Sequence, residues 1–397
     1  MKNIRNKIKV NHLGPIQEGE VEFGELTVLV GPQASGKSIF LTVDKLYNDM
    51  EHIKTSIEGN ERREFKRKKE DYEEFLNLFL GDGSNEILTR ADIKYNSKQL
   101  DFEKLFGKNY KKNTSQNSVT KHFYIPAQRV LTMQAGWPSL YPYLSPELPF
   151  TIKDFSDFIA RELIKASNKR ELLHTQIVQY VLNRNIYPNL KMEIIENVKP
   201  QLSLSSQEEN LHIPYTAWSA GQKEISPLIL GLYYLLPRAK ISRRDSEYVT
   251  IEEPEMGLHP TAIIDIFFLI LYLLTRGYKV RVSTHSVTII ELLWAVQSIK
   301  EVSKEKKTKA LDSLISLFFS KEEIRNIRNF NTYLKSFPDL LEKTYKAYYF
   351  KREENGKTII HDISSLDPIH EKEEIANWGG IGRYSEKIAG IVGDLYE

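Results

Sequence analysis

Apolar residues alternate from residue 5, break at Gly14-Pro15 and return as the unbroken run Leu26 to Val30, which predicts short strands leading to a buried one that stops at Gly31. A helix is expected from Lys37 through about Asn48. The stretch EGNERREFKRKKEDYEEF that follows mixes both signs of charge and predicts a solvated helix. Loop signals fall at Gly81 to Asn85 and Asn109 to Ser118, ahead of the strand candidate Phe123-Tyr-Ile125. In WPSLYPYLSPELPF, prolines at 138, 142, 146 and 149 remove donors and fix φ, which predicts an irregular loop rather than helix or strand, with partner docking as an open role. Residues 152 to 184 read as helical and 190 to 204 as a pair of strands, before the polar SLSSQEEN.

From 223 to 300 the pattern alternates. ISPLILGLYYLL predicts a buried helix, SEYVTIEEP a buried strand, TAIIDIFFLILYLLTR a helix, and YKVRVSTHS a strand ending in polar residues. That is the rhythm of parallel α/β structure. The remainder opens with basic helical sequence, forms a hairpin in AYYFKREENGKTIIHDIS that turns at Asn355-Gly356, and closes with WGGIGRYSEKIAGIVGDLYE. No internal repeat is visible.

Composition narrows the picture only slightly. At 27% charged and 41% hydrophobic residues, the 397-residue chain has ordinary globular usage, with room for two or three structural units. Zero cysteines exclude disulfides and thiolate metal sites, and the nine histidines show no metal-ligand spacing, so a reducing, cytoplasmic home is expected. The opening MKNIRNKIKV lacks a signal-peptide core and no apolar run spans a membrane, so no membrane partner is expected. A net charge of +2 leaves any nucleic-acid contact to local basic pieces, at 62 to 69 and 299 to 308, whose interleaved glutamates equally suit a solvated face.

Four stretches carry chemistry. Gly31-Pro32-Gln33-Ala34-Ser35-Gly36-Lys37-Ser38, followed by Ile39, matches G-x-x-x-x-G-K-[ST] between an apolar strand and a helix. Its backbone N–H groups can curl round phosphates at a helix N-terminus, with Lys37 reaching the β and γ phosphates and Ser38 ligating magnesium. Tyr248-Val-Thr-Ile-Glu252-Glu253-Pro254 ends an apolar strand in two carboxylates, one to hold magnesium through its water shell and one to polarise water. The plain alternative is a pair of surface carboxylates. Trp218-Ser219-Ala220-Gly221-Gln222 opens a helix and offers a hydroxyl and backbone N–H groups, a second anion-binding end or a common helix cap. Ser283-Thr284-His285-Ser286 ends the next strand, where His285 is a candidate γ-phosphate contact or a structural histidine.

The ordered set GPQASGKS, WSAGQ, YVTIEEPEMGLHP and STHS resembles the Walker A, signature, Walker B with D-loop, and H-loop of ABC-type ATPases. EEPEMGLHP and the LGPI…TVLVGPQASGKS opening are similar to the RecF, SMC-like and OLD branch rather than to transporters. The motifs cover residues 1 to 45 and 210 to 290 well, and the rest loosely. This resemblance implies an α/β P-loop NTPase fold, an ABC-ATPase head with a mixed, partly parallel sheet flanked by helices plus a mainly helical insertion. The division would be 1–48 with 205–300 as core, 49–204 as insertion, and 301–397 as a helical and hairpin extension completing the head.

It further implies ATP and Mg2+ as cofactors and a head-to-tail dimer or larger oligomer, with Ser219 and Gly221 acting in trans. Lys37, Glu253 and His285 would be the catalytic set; Ser38, Glu252 and Gln128, the Q-loop candidate in YIPAQRV, would form the metal set. Gln33 and Gln222 are its rivals. Arg129 is placed equally for a phosphate or a carboxylate. Departures from the family pattern, Ala220 for glycine, Glu252 for Asp and His259 for Asp, imply slow or partner-activated turnover. The 112 residues after His285 hold no Asp-x-Asp, so no Toprim nuclease is expected, and the proline-broken gap between Walker A and signature does not suit a long coiled coil. The expected role is that of the stand-alone ATPase subunits of two-gene anti-phage systems such as Septu (PtuA-like), which hold or gate a separately encoded effector such as a nuclease. A RecF-like DNA clamp and a scaffold with structural nucleotide are the alternatives.

Overall fold

Leu26–Val30 is buried at every position, and its side chains divide between the faces of a sheet: Leu26, Val28 and Val30 enter one core, Leu29 the other. A strand covered on both faces needs an unbroken apolar run. In the computed structural model, residues 6–378 are described except 62–63, 67, 109–119, 142–146, 168–175, 197–199, 207–210, 237–244, 302–305, 328–329, 331–333, 368–369, 372 and 377. Among these residues the chain builds a ten-stranded sheet. Its order is Lys98–Gln99, Asp92–Tyr95, Lys7–Leu13, Ile16–Glu22, Thr358–Asp362, Tyr345–Arg352, Leu26–Val30, Lys279–Thr284, Tyr248–Glu252, His122–Ile125.

The last five strands in that order run parallel. Their carboxyl ends therefore share one edge, and the loops that leave it must meet there. The outer strands pair antiparallel, beginning with Lys7–Leu13 against Ile16–Glu22 across a turn with Gly14 at φ 55°. One core packs the helices Ala220–Leu235, Pro260–Thr275 and Val287–Glu301 on one face; the other packs the helix that begins at Lys37.

That first helix runs to Glu61 rather than stopping near Asn48. Asp49 leaves helical dihedrals and kinks it, but His52, Ile53 and Ile57 stay buried beyond the kink, which keeps the second half docked. The charged stretch after it is not a solvated helix. Within Lys69–Leu80, Tyr72, Phe75 and Phe79 are buried, and Phe65 and Phe106 join them in one aromatic cluster, so the charges occupy only the outer face. Residues 190–204 pair as expected, but Leu211–Pro214 adds a third antiparallel strand. Trp137–Pro138 also departs from the expected loop: Ala135 (φ 49°) and Gly136 (φ 84°) turn the chain so that it pairs with Met133–Gln134. Pro142, Pro146, the 109–118 loop and most of the final stretch lie outside the described residues, as do parts of both basic segments. No described helix is long and apolar enough to cross a membrane.

The hairpin turns where Asn355-Gly356 predicts, with Gly356 at φ 77°. Its placement is a tertiary matter: Tyr345–Arg352 lies directly beside the Leu26–Val30 strand, in parallel register.

Candidate functional site

Convergence at the carboxyl edge begins with residues 31–38. Gly31 and Gly36 are forced: a Cβ on Gly31 would lie 2.7 Å from the Phe350 carbonyl oxygen, and one on Gly36 2.7 Å from Ile16 Cγ1, with φ at 95°. Ala34 takes φ 56° without being glycine. Pro32, Gln33, Ala34 and Ser38 are exposed, whereas Ser35 is buried and Ile39 half-buried. Lys37 Nζ donates to the carbonyls of Gly31 (2.8 Å) and Pro32 (2.9 Å), folding the lysine back across its own loop. Burial lowers its pKa to about 8, against the raising influence of Glu253, Glu255 and Glu252.

Next to Lys37 stand a histidine and a carboxylate. Lys37 Nζ is 3.3 Å from His285 Nε2, which is 3.1 Å from Glu253 Oε1. A single ring nitrogen cannot both accept from the lysine and donate to the carboxylate; with Glu253 ionised, Nε2 carries the proton and donates to it. That hydrogen bond is the leading reason Glu253 sits below the usual carboxylate range. Glu252 goes the other way: it is 5% exposed, and burial raises its pKa, with the Ser38 hydroxyl, the Ala127 N–H and the Tyr124 hydroxyl opposing. The adjacent carboxylates are thus tuned apart by environment, as acid–base sites require.

Two groups hold this pair in place, and no local sequence pattern predicts either role. Arg129 is fully buried and donates to main-chain carbonyls rather than to a carboxylate side chain: Nε to Glu224 (2.9 Å), Nη1 to Glu252 (3.0 Å), and Nη1 and Nη2 to Glu253 (3.2 Å each). Glu253 needs that support, because it takes φ 43°, a left-handed conformation that favours glycine. Its N–H donates to Ser283 O at 2.8 Å. Glu255 Oε1 accepts from the Thr284 hydroxyl and from His285 N, each at 2.7 Å, and so ties the histidine's backbone to the carboxylate loop. The only sequence signal for either was position next to a motif. The helix starting at Lys37 is in turn fastened beneath the sheet by Asp44 and Arg281, both buried, 2.8 Å apart.

Gln128 is brought beside Ser38 and Glu252. It lines a cavity of about 330 Å³ together with Ser38, Ile39, Thr42, Ala127 and Glu252. Among the described residues Glu252 Oε1 is buried there with no donor in full hydrogen-bond geometry, the Ser38 and Tyr124 hydroxyls being its polar neighbours, while Oε2 accepts from Ala127 N at 3.1 Å. An unsatisfied carboxylate oxygen beside a hydroxyl and an amide is an all-oxygen donor set that fits Mg2+.

Ser219, Ala220, Gly221 and Gln222 stand apart. Ser219 caps the helix Ala220–Leu235 in a capping box, its hydroxyl accepting from Gln222 N (3.2 Å) and its N–H donating to Gln222 Oε1 (2.9 Å). Among the described residues none of their hydrogen bonds reaches the P-loop of the same chain. Ser219 and Ala220 are exposed, and the Ser219 proton stays free to donate. Gly221 is forced by close approach, since a Cβ there would lie 2.5 Å from Gly257 O. His259 caps the helix Pro260–Thr275 through Nδ1, the cap an aspartate would also supply.

Residues 55–291 match the family model described as "AAA domain, putative AbiEii toxin, Type IV TA system". The chain belongs to this AAA domain family. No curated protein matches it. Similar solved structures include the SMC head domain from Thermotoga maritima, at 9% identity and TM-score 0.37, covering 90% of this chain and 99% of that one. The SmcHead bound to the C-winged helix domain of ScpA is similar at 9% identity and TM-score 0.39, covering 90% and 97%. An ATP binding subunit of an ABC transporter is similar at 15% identity and TM-score 0.30, covering 72% and 81%. At such scores these likenesses decide nothing; the α/β P-loop fold of this AAA domain protein stands on its strand order and motif geometry. Family, motif order and sheet together make it an ATPase domain of the ABC/SMC-like P-loop type.

Proposed function

We propose that the chain binds ATP with Mg2+ and hydrolyses it to ADP and phosphate in a head-to-tail dimer or larger assembly, as the regulatory ATPase of a bacterial anti-phage system that gates a separate effector. The observation that carries the catalytic part is the convergence of Lys37, His285 and Glu253 at the P-loop mouth, with His285 donating to Glu253. On this reading Lys37 leaves the Gly31 and Pro32 carbonyls to meet the β and γ phosphates, and residues 31–39 wrap the polyphosphate with backbone N–H groups. Ser38, Glu252 and Gln128 would hold the metal, which neutralises phosphate charge when bound. Glu253, held ionised, orients a water for in-line attack on the γ phosphorus and takes up proton density as the O–P bond forms and ADP departs. His285, already donating to Glu253, turns its Nε2–H to the γ phosphate.

The Ser219–Gly221 turn, with Ser219 and Ala220 exposed and, among the described residues, no hydrogen bond to its own P-loop, supports trans action on a second copy's nucleotide. The family description's words for a toxin in a type IV system fit a defence role, with cytoplasmic location following from it. The test is ATP turnover and light scattering of the wild type beside Lys37→Ala and Glu253→Gln, with and without ATP and Mg2+. Loss of turnover in both, with Glu253→Gln accumulating as an ATP-bound dimer or larger species, is expected. Wild-type turnover by Glu253→Gln would overturn the mechanism, and nuclease activity of the chain alone would overturn the gating role.

A further inference from the structure

The parallel register between Tyr345–Arg352 and Leu26–Val30 sets Tyr349 opposite Val30. Three residues further along each chain, Arg352 flanks Gln33 in the first turn of the P-loop. The approach is close enough that the Phe350 carbonyl occupies the space beside Gly31 where any side chain would sit. Arg352 Nη2 donates to Gln33 O at 2.8 Å. Three consecutive P-loop carbonyls, of Gly31, Pro32 and Gln33, are therefore taken by two cations, Lys37 and Arg352.

Arg352 is exposed, and among the described residues it has no carboxylate partner, because neighbouring Glu353 pairs with Lys351 at 3.5 Å. A guanidinium carries five N–H donors in a planar fork that matches phosphate oxygens. Its remaining donors are thus uncommitted at the mouth of an anion site, and their carrier is clamped to the loop that wraps the anion. On the ATP-binding reading Lys37 reaches the β and γ phosphates, and its Nζ lies on the Gly31 and Pro32 carbonyls, next along the chain to the Gln33 carbonyl that holds Arg352.

We propose that Arg352 is a terminal-phosphate contact, a second cation of the nucleotide site by which the C-terminal hairpin distinguishes ATP from ADP. This rests on the ATP-binding reading above. On binding, the guanidinium keeps Nη2 on Gln33 O and offers its other donors to γ-phosphate oxygens, so the hairpin senses whether that phosphate is present.

The test is equilibrium binding of ATP and of ADP, with Mg2+, to the full chain as wild type, Arg352→Gln and Arg352→Lys. Glutamine keeps a donor for Gln33 O but removes the charge, which separates phosphate recognition from loop support. Arg352→Gln is expected to weaken ATP about tenfold, the lower end for a charge-assisted contact at an exposed site, and ADP by less than about threefold. Arg352→Lys should fall between, and raised salt should shrink the wild-type preference for ATP. Equal weakening of ATP and ADP, or no change in either, overturns the proposal. A wild type that binds neither nucleotide instead overturns the functional reading beneath it.

Discussion

Replacing the buried Arg129 by methionine separates what the structure says from the phosphate contact that its position beside Gln128 suggested. The substitution keeps length and apolar bulk but strips donors from three main-chain carbonyls, those of Glu224, Glu252 and Glu253. Each of these hydrogen bonds to a charged donor is worth about 1.5–3 kcal/mol, although Glu253 O keeps the Met256 N–H at 3.1 Å. Removing the desolvation of one guanidinium offsets part of this, so a net loss of about 3–5 kcal/mol is expected. At roughly 2 °C per kcal/mol for a protein of this size, the melting temperature falls by roughly 5–10 °C. Glu253 then loses two of the hydrogen bonds that hold its left-handed backbone, and displacement of a catalytic group by about 1 Å costs on the order of 100-fold in rate. ATP affinity should change by less than about threefold, since no Arg129 hydrogen bond reaches the P-loop. The assay is urea unfolding together with single-turnover hydrolysis and ATP titration. Unchanged stability with a tenfold or greater loss of ATP affinity would refute this reasoning and return Arg129 to the phosphate.

Lys37, lowered to about 8 from its ordinary 10.5, carries a charge that folding disfavours. Its cost is present in full below about pH 8 and disappears as pH rises towards 10.5, so nucleotide-free stability should climb across that window and Lys37→Met should flatten the climb in pH-dependent urea unfolding. ATP affinity should fall over the same window, because phosphate needs the protonated amine. Gly221→Ala pushes a methyl to 2.5 Å from Gly257 O, which forces the signature turn and D-loop apart at about 1–3 kcal/mol. Steady-state turnover should drop while single-chain ATP binding, measured on dilute protein, holds. Glu255→Ala frees the His285 backbone and should lower turnover on the order of 10- to 100-fold, as loss of an orienting partner does, at about 1–3 kcal/mol of stability and with ATP affinity nearly unchanged. Wild-type turnover would show that the histidine is held by other means.

Local pattern alone determined much of this protein. The run LTVLV followed by GPQASGKS specifies a doubly covered strand and a phosphate loop, YVTIEEP a strand ending in carboxylates, Ser219 with Gln222 a helix start, and Asn355-Gly356 a turn. Each depends on period, cap or turn chemistry within about ten residues of chain. Where elements lie side by side depends on pairings between residues hundreds apart, which no local period encodes. The hairpin carrying Arg352 was legible, but its seat against the P-loop strand was not. Mixed charge hid the aromatic face of Lys69–Leu80, because the residues that cover it come from Phe65 and Phe106. Arg129 and Glu255 read in sequence as polar neighbours of motifs; only the folded chain turns their charges onto backbone groups, where burial without a partner would be too costly to survive.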